Sequence, residues 1–328
     1  MSTNPVDDSN TNAEEEENGT PFHFYPLKQI KLGTFKPLQI KALSSLPLSD
    51  LISLAEGTSD ETGHCIWRGA TVFHSMLMTS IKAYKNTHNL TSFFCNKHVL
   101  ELGSGTGFGG FGLLRILGGE SNFKSLSFTD GDVSTVSLAE ENYRINFCDD
   151  TNNNNNKTNV MFGEYNWSDS PIYPDVLPVP DVVFACDVVY DCSILLPLFI
   201  SAKVALMKKY KGKEEGTSNH EDLNKNINNN NNTEKDDLSS SLLPLSISTD
   251  NTNDNNTNNN SKYFLLSHIC RAGYKTKHIG SEEELELEIC HAAKVTGFIL
   301  KDVIRQNEGE NYSGGERGSL LIFEITGL

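Results

Sequence analysis

The stretch from Val99 to Gly110, which reads V-L-E-L-G-S-G-T-G-F-G-G, constrains the fold more than any other part of this sequence. Apolar residues ending at Leu102 run into glycines at alternate positions, and an amphipathic segment containing Leu113 and Leu117 follows. This order predicts a strand, a tight loop and the start of a helix. Glycines suit such a loop because some positions need a positive φ and because a ligand can then approach the backbone closely. The free N–H groups at the helix N-terminus would attract a polar ligand group.

Two classes of ligand use this geometry, and the residue before the glycines helps to separate them. Dinucleotide folds place pyrophosphate over G-x-G-x-x-G, with an acidic residue about 20 positions further on. Here the glycines are Gly103, Gly105 and Gly107, and Glu101 stands two residues before the first of them. A carboxylate there would repel pyrophosphate but could receive the α-ammonium of an amino acid, directly or through water. On this stretch alone, an ordinary glycine-rich turn or a nucleotide loop stays open.

A second predicted strand, Ser125 to Thr129, ends at Asp130. With one short helix between the glycines and this strand, Asp130 is expected at the carboxyl edge of the neighbouring strand. A carboxylate there can accept hydrogen bonds from both hydroxyls of a ribose. The alternative is that Asp130 caps the next predicted helix, which begins near Val133.

A third carboxylate follows the apolar run Val182 to Cys186, which is typical of a central parallel strand buried on both faces. Asp187 stands at the carboxyl end of this run, where open α/β sheets bind their ligands. Because a carboxylate is costly to bury without a partner, we interpret Asp187 as functional rather than structural. Tyr190 lies three residues further along the chain.

The two tryptophans stand near these stretches. Trp67 precedes a helical segment ahead of the glycine loop, where it either belongs to the core or walls a ligand site. Trp167 follows a third predicted strand, Asn159 to Phe162. An aromatic ring at the exit of this strand could flank an adenine, since every base offers a π-face.

Polar segments divide the chain. Residues 1–21 are polar and acidic, and residues 211–261 consist mainly of Asn, Ser, Asp and Lys, with a shorter Asn-rich run at about 150–157. Such segments bury too little apolar surface to offset the entropy of ordering, so we predict that they are disordered. Residues 22–328 are predicted to form one α/β domain. Its N-terminal extension, 22–60, contains the β-like runs Phe22 to Tyr25 and Phe35 to Ile40.

Composition excludes several classes of protein. No signal peptide or membrane-spanning apolar run is visible, and the seven cysteines include no C-x-x-C pair, which argues against a disulfide framework and a zinc site. We therefore expect a cytoplasmic or nuclear protein without a bound metal. The net charge of −16 disfavours nucleic acid and suits a basic partner, unless it is simply a solvated surface.

Taken in order, these pieces resemble a known family. They are Trp67 to Ala70, the loop Glu101 to Gly107, Asp130, Trp167 and the D-x-x-Y tetrapeptide Asp187 to Tyr190. From about residue 35 to the C-terminus the chain resembles the methyltransferase family 16 group, the seven-strand, non-SET protein lysine methyltransferases. The glycine loop is shared by all class I methyltransferases, whereas its combination with D-x-x-Y is specific to this group.

The resemblance implies a doubly wound, mostly parallel, Rossmann-like sheet of seven strands and S-adenosylmethionine as the cofactor. The cofactor-binding residues it implies are Trp67, Glu101, Gly103, Ser104, Gly105, Gly107, Asp130, Trp167 and Cys186, the last at a position where the group often has Ala. Asp187 and Tyr190 are implied to be catalytic, Asp187 by orienting an incoming ammonium and Tyr190 by shaping its channel.

Three functions compete at this stage. We expect methylation of a lysine in a basic or lysine-presenting protein, by a monomeric enzyme. Methyl transfer to arginine, histidine or a small molecule is the second reading, and a noncatalytic cofactor-binding or scaffolding module is the third.

Overall fold

A computed structural model describes residues 25–43, 62–82, 89–148, 159–209, 261–269, 281–305 and 318–325. The chain enters through an antiparallel hairpin of β1 (Leu27–Leu32) and β2 (Phe35–Lys41). Gly33 makes its turn with a φ of 56°, a conformation that glycine adopts without strain. The hairpin packs against the domain, because Leu38 and Ile40 are buried in its core and the Asn142 side chain bonds the Lys41 backbone.

The other described strands form one seven-stranded sheet in the order β5-β4-β3-β6-β7-β9-β8. They are β3 (His98–Leu102), β4 (Ser125–Asp130), β5 (Val160–Glu164), β6 (Val182–Cys186), β7 (Tyr263–Ile269), β8 (Phe298–Arg305) and β9 (Gly318–Ile325). The first five in the order are parallel, and β9 is antiparallel to both β7 and β8. The central strands are buried on both faces, which explains why β6 is an unbroken apolar run.

Helices cover both faces of this sheet. They are α1 (Arg68–Lys82), the single turn α2 (Thr91–Phe94), α3 (Phe108–Ile116), α4 (Val133–Phe147), α5 (Leu195–Met207) and α6 (Glu282–Thr296). One apolar core lies between the sheet and α1, α3 and α4, and a second core lies under α5 and α6. The architecture is the predicted doubly wound α/β sheet with a Rossmann-like arrangement. No helix in the described part of the chain has the length and apolarity to cross a membrane.

Element boundaries agree with the sequence in most places, and two of the differences lie near the site or the N-terminus. The first strand begins at Leu27 rather than in the predicted run Phe22 to Tyr25, of which only Tyr25 is described. Strand β5 continues to Glu164, two residues beyond its predicted end, since Gly163 stays paired with Thr129 of β4. Residues 1–21 and 150–157, and 211–260 of the predicted insertion, lie outside the described residues.

Candidate functional site

A cavity of about 790 Å³ opens at the carboxyl edge of the parallel strands, a size typical of small-molecule sites. Ten of the eleven predicted site residues line it together. They are Trp67, Glu101, Gly103, Ser104, Gly105, Asp130, Trp167, Cys186, Asp187 and Tyr190. This edge is where β3, β4 and β6 end, so the topology of the sheet brings these distant stretches of sequence to one place.

The glycine loop lies between β3 and α3, and its glycines have positive φ angles, which glycine adopts more readily than other residues. Gly103 has a φ of 63° and Gly105 a φ of 54°. A Cβ on Gly103 would lie 2.8 Å from Cγ1 of Val188 and 3.0 Å from the Trp167 ring. The loop is fixed to β4 because the Ser104 N–H donates to the Thr129 carbonyl at 2.8 Å. The loop is therefore a rigid wall of backbone.

Asp130 holds this loop from the end of β4. Its Oδ2 accepts a hydrogen bond from the Gly105 N–H at 3.0 Å. The helix cap that the sequence left as an alternative belongs to Asp132, whose side chain accepts from the Ser134 N–H at the start of α4. Asp130 thus lines the cavity at the predicted place and orders the glycine loop as well.

A 3₁₀ turn, Thr62–His64, lies against the loop on another side of the cavity. The Gly63 carbonyl oxygen is 2.9 Å from the place that a Cβ on Gly105 would take. Trp67 is tied to the turn because its indole N–H donates to the Thr62 carbonyl at 2.8 Å. Sequence reasoning used Trp67 but missed this turn, although Thr62 and Gly63 stand only a few residues before that tryptophan.

His64 anchors the turn from behind. Its side chain is buried, with Nδ1 at 3.3 Å from the Tyr25 hydroxyl and Nε2 at 3.1 Å from the Ser134 hydroxyl. The Asp132 carboxylate lies 3.8 Å from the same Nε2. The turn over the cavity is thereby connected to Tyr25, two residues before the N-terminal hairpin, and to the start of α4.

Cys186 ends β6 inside the cavity, near Glu101 of β3. Burial, followed by the nearby Glu101 and Asp187, raises the pKa of the Cys186 thiol well above its ordinary value. A thiol in such surroundings stays protonated and is a poor nucleophile. Cys186 therefore contributes shape to the site.

Asp187 has an unusual backbone and a specific partner. It is a non-glycine residue with a φ of 60°, and it is 7% exposed. Its Oδ2 accepts a hydrogen bond from the Gly69 N–H, in the first turn of α1, at 2.9 Å. The Asp187 N–H donates to the Ser267 carbonyl, and the Ser267 hydroxyl donates to the Gly69 carbonyl. Hydrogen bonds among these three residues hold the carboxyl ends of β6 and β7 against the start of α1.

Position 69 requires glycine because Asp187 approaches its backbone closely. A Cβ on Gly69 would lie 2.4 Å from the Asp187 Cβ. A carboxylate at a helix N-terminus satisfies a free N–H group and complements the helix dipole. The prediction that Asp187 is functional rather than structural was therefore too narrow. Asp187 has a structural role, since it caps α1, and it also lines the cavity.

Beyond Asp187 the cavity wall becomes more exposed and more apolar. Tyr190 is 37% exposed, and Ser193, Ile194 and Pro197 continue the lining up to the start of α5. Gly107, in contrast, is not among the lining residues. It precedes α3 with a φ of 81°, and a Cβ there would lie 2.4 Å from the Phe111 ring. In the structure, packing against Phe111 accounts for this glycine.

Two buried polar atoms in the cavity wall have no hydrogen-bond partner among the described residues. They are the Ser104 hydroxyl oxygen and the Trp167 indole nitrogen. Because unpaired buried polar groups are costly, they indicate a ligand that supplies partners. Together with the glycine wall and the carboxylates Glu101 and Asp130, they fit a ligand that carries both polar groups and a positive charge, as S-adenosylmethionine does.

Comparison with solved structures returns methyltransferases at low sequence identity. A SAM-dependent methyltransferase from Aquifex aeolicus is 13% identical with a TM-score of 0.40, covering 78% of this chain and 98% of its own. Another from Methanosarcina mazei is 13% identical with a TM-score of 0.38, covering 73% and 98%. The magnesium protoporphyrin IX methyltransferase of Synechocystis, solved with bound SAM, is 11% identical with a TM-score of 0.40, covering 87% and 100%. These likenesses are distant.

Comparison by sequence is more specific. Among curated proteins none matches the chain. The family model described as "Lysine methyltransferase", that of the methyltransferase 16 group, matches residues 48–211, which is half of the chain. The matched region contains every residue singled out above from the glycine loop to the D-x-x-Y segment, in the order the resemblance requires. The chain therefore belongs to the lysine methyltransferase family, whose cofactor is S-adenosylmethionine.

Proposed function

We propose that this methyltransferase modifies the side-chain amine of a lysine in a protein substrate. The charge of the cavity is the observation that carries the proposal. None of the described lining residues is Lys, Arg or His, whereas four of them carry a carboxyl group. The four are Glu101, Asp130, Asp132 and Asp187. Because no cationic side chain of the described lining offsets these acidic groups, the lining favours a cationic acceptor over an anionic one. The description of the family supports the same choice among cationic acceptors.

The residues beyond the glycine loop suit this acceptor. Bound S-adenosylmethionine supplies an electrophilic methyl group on a sulfonium sulfur. Asp187 presents its negative charge in a fixed position, since the Gly69 N–H holds the carboxylate, and so can orient an incoming ammonium. Tyr190 offers an aromatic face to the same cation.

The acceptor must also lose a proton, because a lysine amine has a reference pKa of about 10.4 and arrives charged. Apolar lining residues such as Val188 and Ile194 desolvate the amine as it enters, which favours its neutral form. The protein contributes mainly position, and well-oriented reactants can account for roughly 7 kcal/mol or more of a barrier.

Transfer of labelled methyl groups tests the proposal. The purified protein is incubated with tritiated S-adenosylmethionine and a lysate from cells that lack it, and the labelled protein is hydrolysed in acid. We expect the label in methyllysine, and we expect it to be lost when the enzyme is Asp187→Asn. Label in methylarginine or methylhistidine, or in small molecules only, would contradict the proposal. Cofactor binding without any transfer would favour the noncatalytic module.

A further inference from the structure

Glu101 occupies a position where an alternating strand would place an apolar side chain. On β3 it points to the same side as Val99, beneath α3, and it is 1% exposed. The first turn of α3 leaves room for it, because Gly109 and Gly110 have no side chains. A Cβ on Gly109 would lie 2.3 Å from Oε1 of Glu101, and a Cβ on Gly110 would lie 2.7 Å from Oε2. The carboxyl group is thus built into the interior and also lines the cavity.

The carboxyl group has little to stabilise a negative charge. Its one hydrogen bond in the described part of the chain comes from the Gly110 N–H, which lies 3.1 Å from Oε2. No Lys, Arg or His among the described residues forms an ion pair with it. A buried carboxylate without a cation is unstable, and such a group usually takes up a proton instead.

The titratable groups around Glu101 add no positive charge. Asp130 approaches from β4 and Cys186 from β6, with Asp187 next to it, and each of these is neutral or negative. From α1, His74 bonds the Gly109 carbonyl; burial lowers its pKa to about 4, so it is neutral near pH 7. Burial, opposed by the Gly110 N–H and reinforced by Asp130, raises the pKa of Glu101 well above its ordinary value.

We infer that Glu101 is protonated in the free protein and that a ligand bearing an α-ammonium displaces this proton into solvent when it binds. The O–H bond of the carboxyl group breaks, the proton passes to the buffer, and the carboxylate pairs with the intact ammonium. A ligand without an ammonium leaves Glu101 protonated and gains no ion pair with it, so Glu101 favours ligands with an amino-acid end. This inference rests on the cofactor assignment and extends it.

Calorimetry measures this exchange directly and needs no methyl acceptor. S-adenosylhomocysteine is titrated into the protein at pH 6.5 in buffers of low and high ionisation enthalpy, and the dependence of the binding enthalpy on the buffer gives the number of protons released. We expect net release of protons on binding, with an affinity that rises with pH by up to roughly tenfold per unit while free Glu101 is protonated and bound Glu101 is not. 5′-Methylthioadenosine, which keeps the nucleoside and the sulfur but lacks the ammonium, is expected to release none.

Glu101→Gln is the matched variant because it keeps the shape and removes the titrating proton. We expect it to bind S-adenosylhomocysteine at least tenfold more weakly, with an enthalpy that does not depend on the buffer. Binding to the wild type without proton release overturns the inference, as does equal release with 5′-methylthioadenosine or in Glu101→Gln. The comparison of two ligands on the wild type stands even if the variant does not fold. If the wild type binds no S-adenosylhomocysteine at all, the cofactor assignment fails as well.

Discussion

The glycine loop and the D-x-x-Y segment line the same cavity but are held in place in different ways. The loop is held by two hydrogen bonds from its backbone N–H groups to the adjacent strand β4, one to the Thr129 carbonyl and one to the Asp130 carboxylate. The D-x-x-Y segment depends on partners far away in the sequence, because Asp187 bonds to Gly69 at the start of α1 and to Ser267 on β7. Changes in the loop should therefore affect cofactor binding, whereas changes in D-x-x-Y can separate folding from methyl transfer.

The largest effect is expected in the loop, from Gly105→Asp. The new Cβ would lie 2.9 Å from the Gly63 carbonyl at a φ of 54°, so the Thr62–His64 turn has to move. We expect binding of S-adenosylhomocysteine to weaken at least ~100-fold, or about 2.7 kcal/mol. The chain's two tryptophans both line the cavity, so their fluorescence reports ligand entry alongside calorimetry.

Gly119→Asp is the matched control for this loop variant. Gly119 also has a positive φ, 109°, but a Cβ there meets nothing within 4 Å. It should lose some stability from backbone strain and keep its cofactor affinity. Equal loss of binding in both variants would show that strain alone, rather than the position of Gly105, explains the result.

In the D-x-x-Y segment the sharpest change is Asp187→Asn. The amide oxygen of Asn can still accept the Gly69 N–H, so α1 stays capped while the charge is lost. We expect cofactor affinity within a few-fold of the wild type and methyl transfer to protein reduced by roughly 10²-fold, as for a lost electrostatic stabiliser.

Asp187→Ala tests the structural role of the same residue. It removes the cap of α1 as well as the charge, which typically costs about 1–2 kcal/mol of stability. The melting temperature of the Ala variant should thus be lower than that of the Asn variant, while both variants lose methyl transfer. If Asn transfers methyl groups at the wild-type rate and only Ala is impaired, Asp187 is a structural cap and its assigned role in acceptor binding is wrong.

The two regions also differ in how far sequence predicts them. The local pattern predicts the loop, the end of β3, the limits of β6 and the start of α4, because apolar periodicity and glycine spacing act over short distances. The bond from Asp187 to Gly69 joins residues 118 positions apart, and no local pattern encodes it. For the same reason the role of Thr62–His64 at the cavity, which depends on a contact with Gly105, is visible only in the fold.

Substitution of His64 should have an intermediate effect, and the effect should be on cofactor binding. His64→Ala removes the side chain that lies between Tyr25 and Ser134 behind the Thr62–His64 turn. Since a hydrogen bond contributes about 1 kcal/mol, we expect roughly tenfold weaker binding of S-adenosylhomocysteine. Ser134→Ala, which removes one of the two partners, should weaken binding less. Unchanged affinity in His64→Ala would mean that the turn holds its position without this support.

The smallest effect is expected at Tyr190, and its size follows from exposure. The side chain is 37% exposed, so water competes for the hydroxyl and screens any charge near the ring. Tyr190→Phe keeps the aromatic face and removes only the hydroxyl, whose hydrogen bond is worth about 0.5–1.5 kcal/mol, or roughly 2- to 10-fold in rate. Tyr190→Ala also removes the ring and its cation–π contact, worth up to about 2 kcal/mol, so its loss should be greater. Initial rates of label transfer into lysate protein measure both variants, and calorimetry should show wild-type cofactor affinity in each.

Because Asp187→Asn removes a full charge whereas Tyr190→Phe removes one neutral hydrogen bond, a Phe variant as impaired as Asn would show that the Tyr190 hydroxyl takes part directly in transfer. Full activity in the Ala variant would instead remove Tyr190 from the acceptor site.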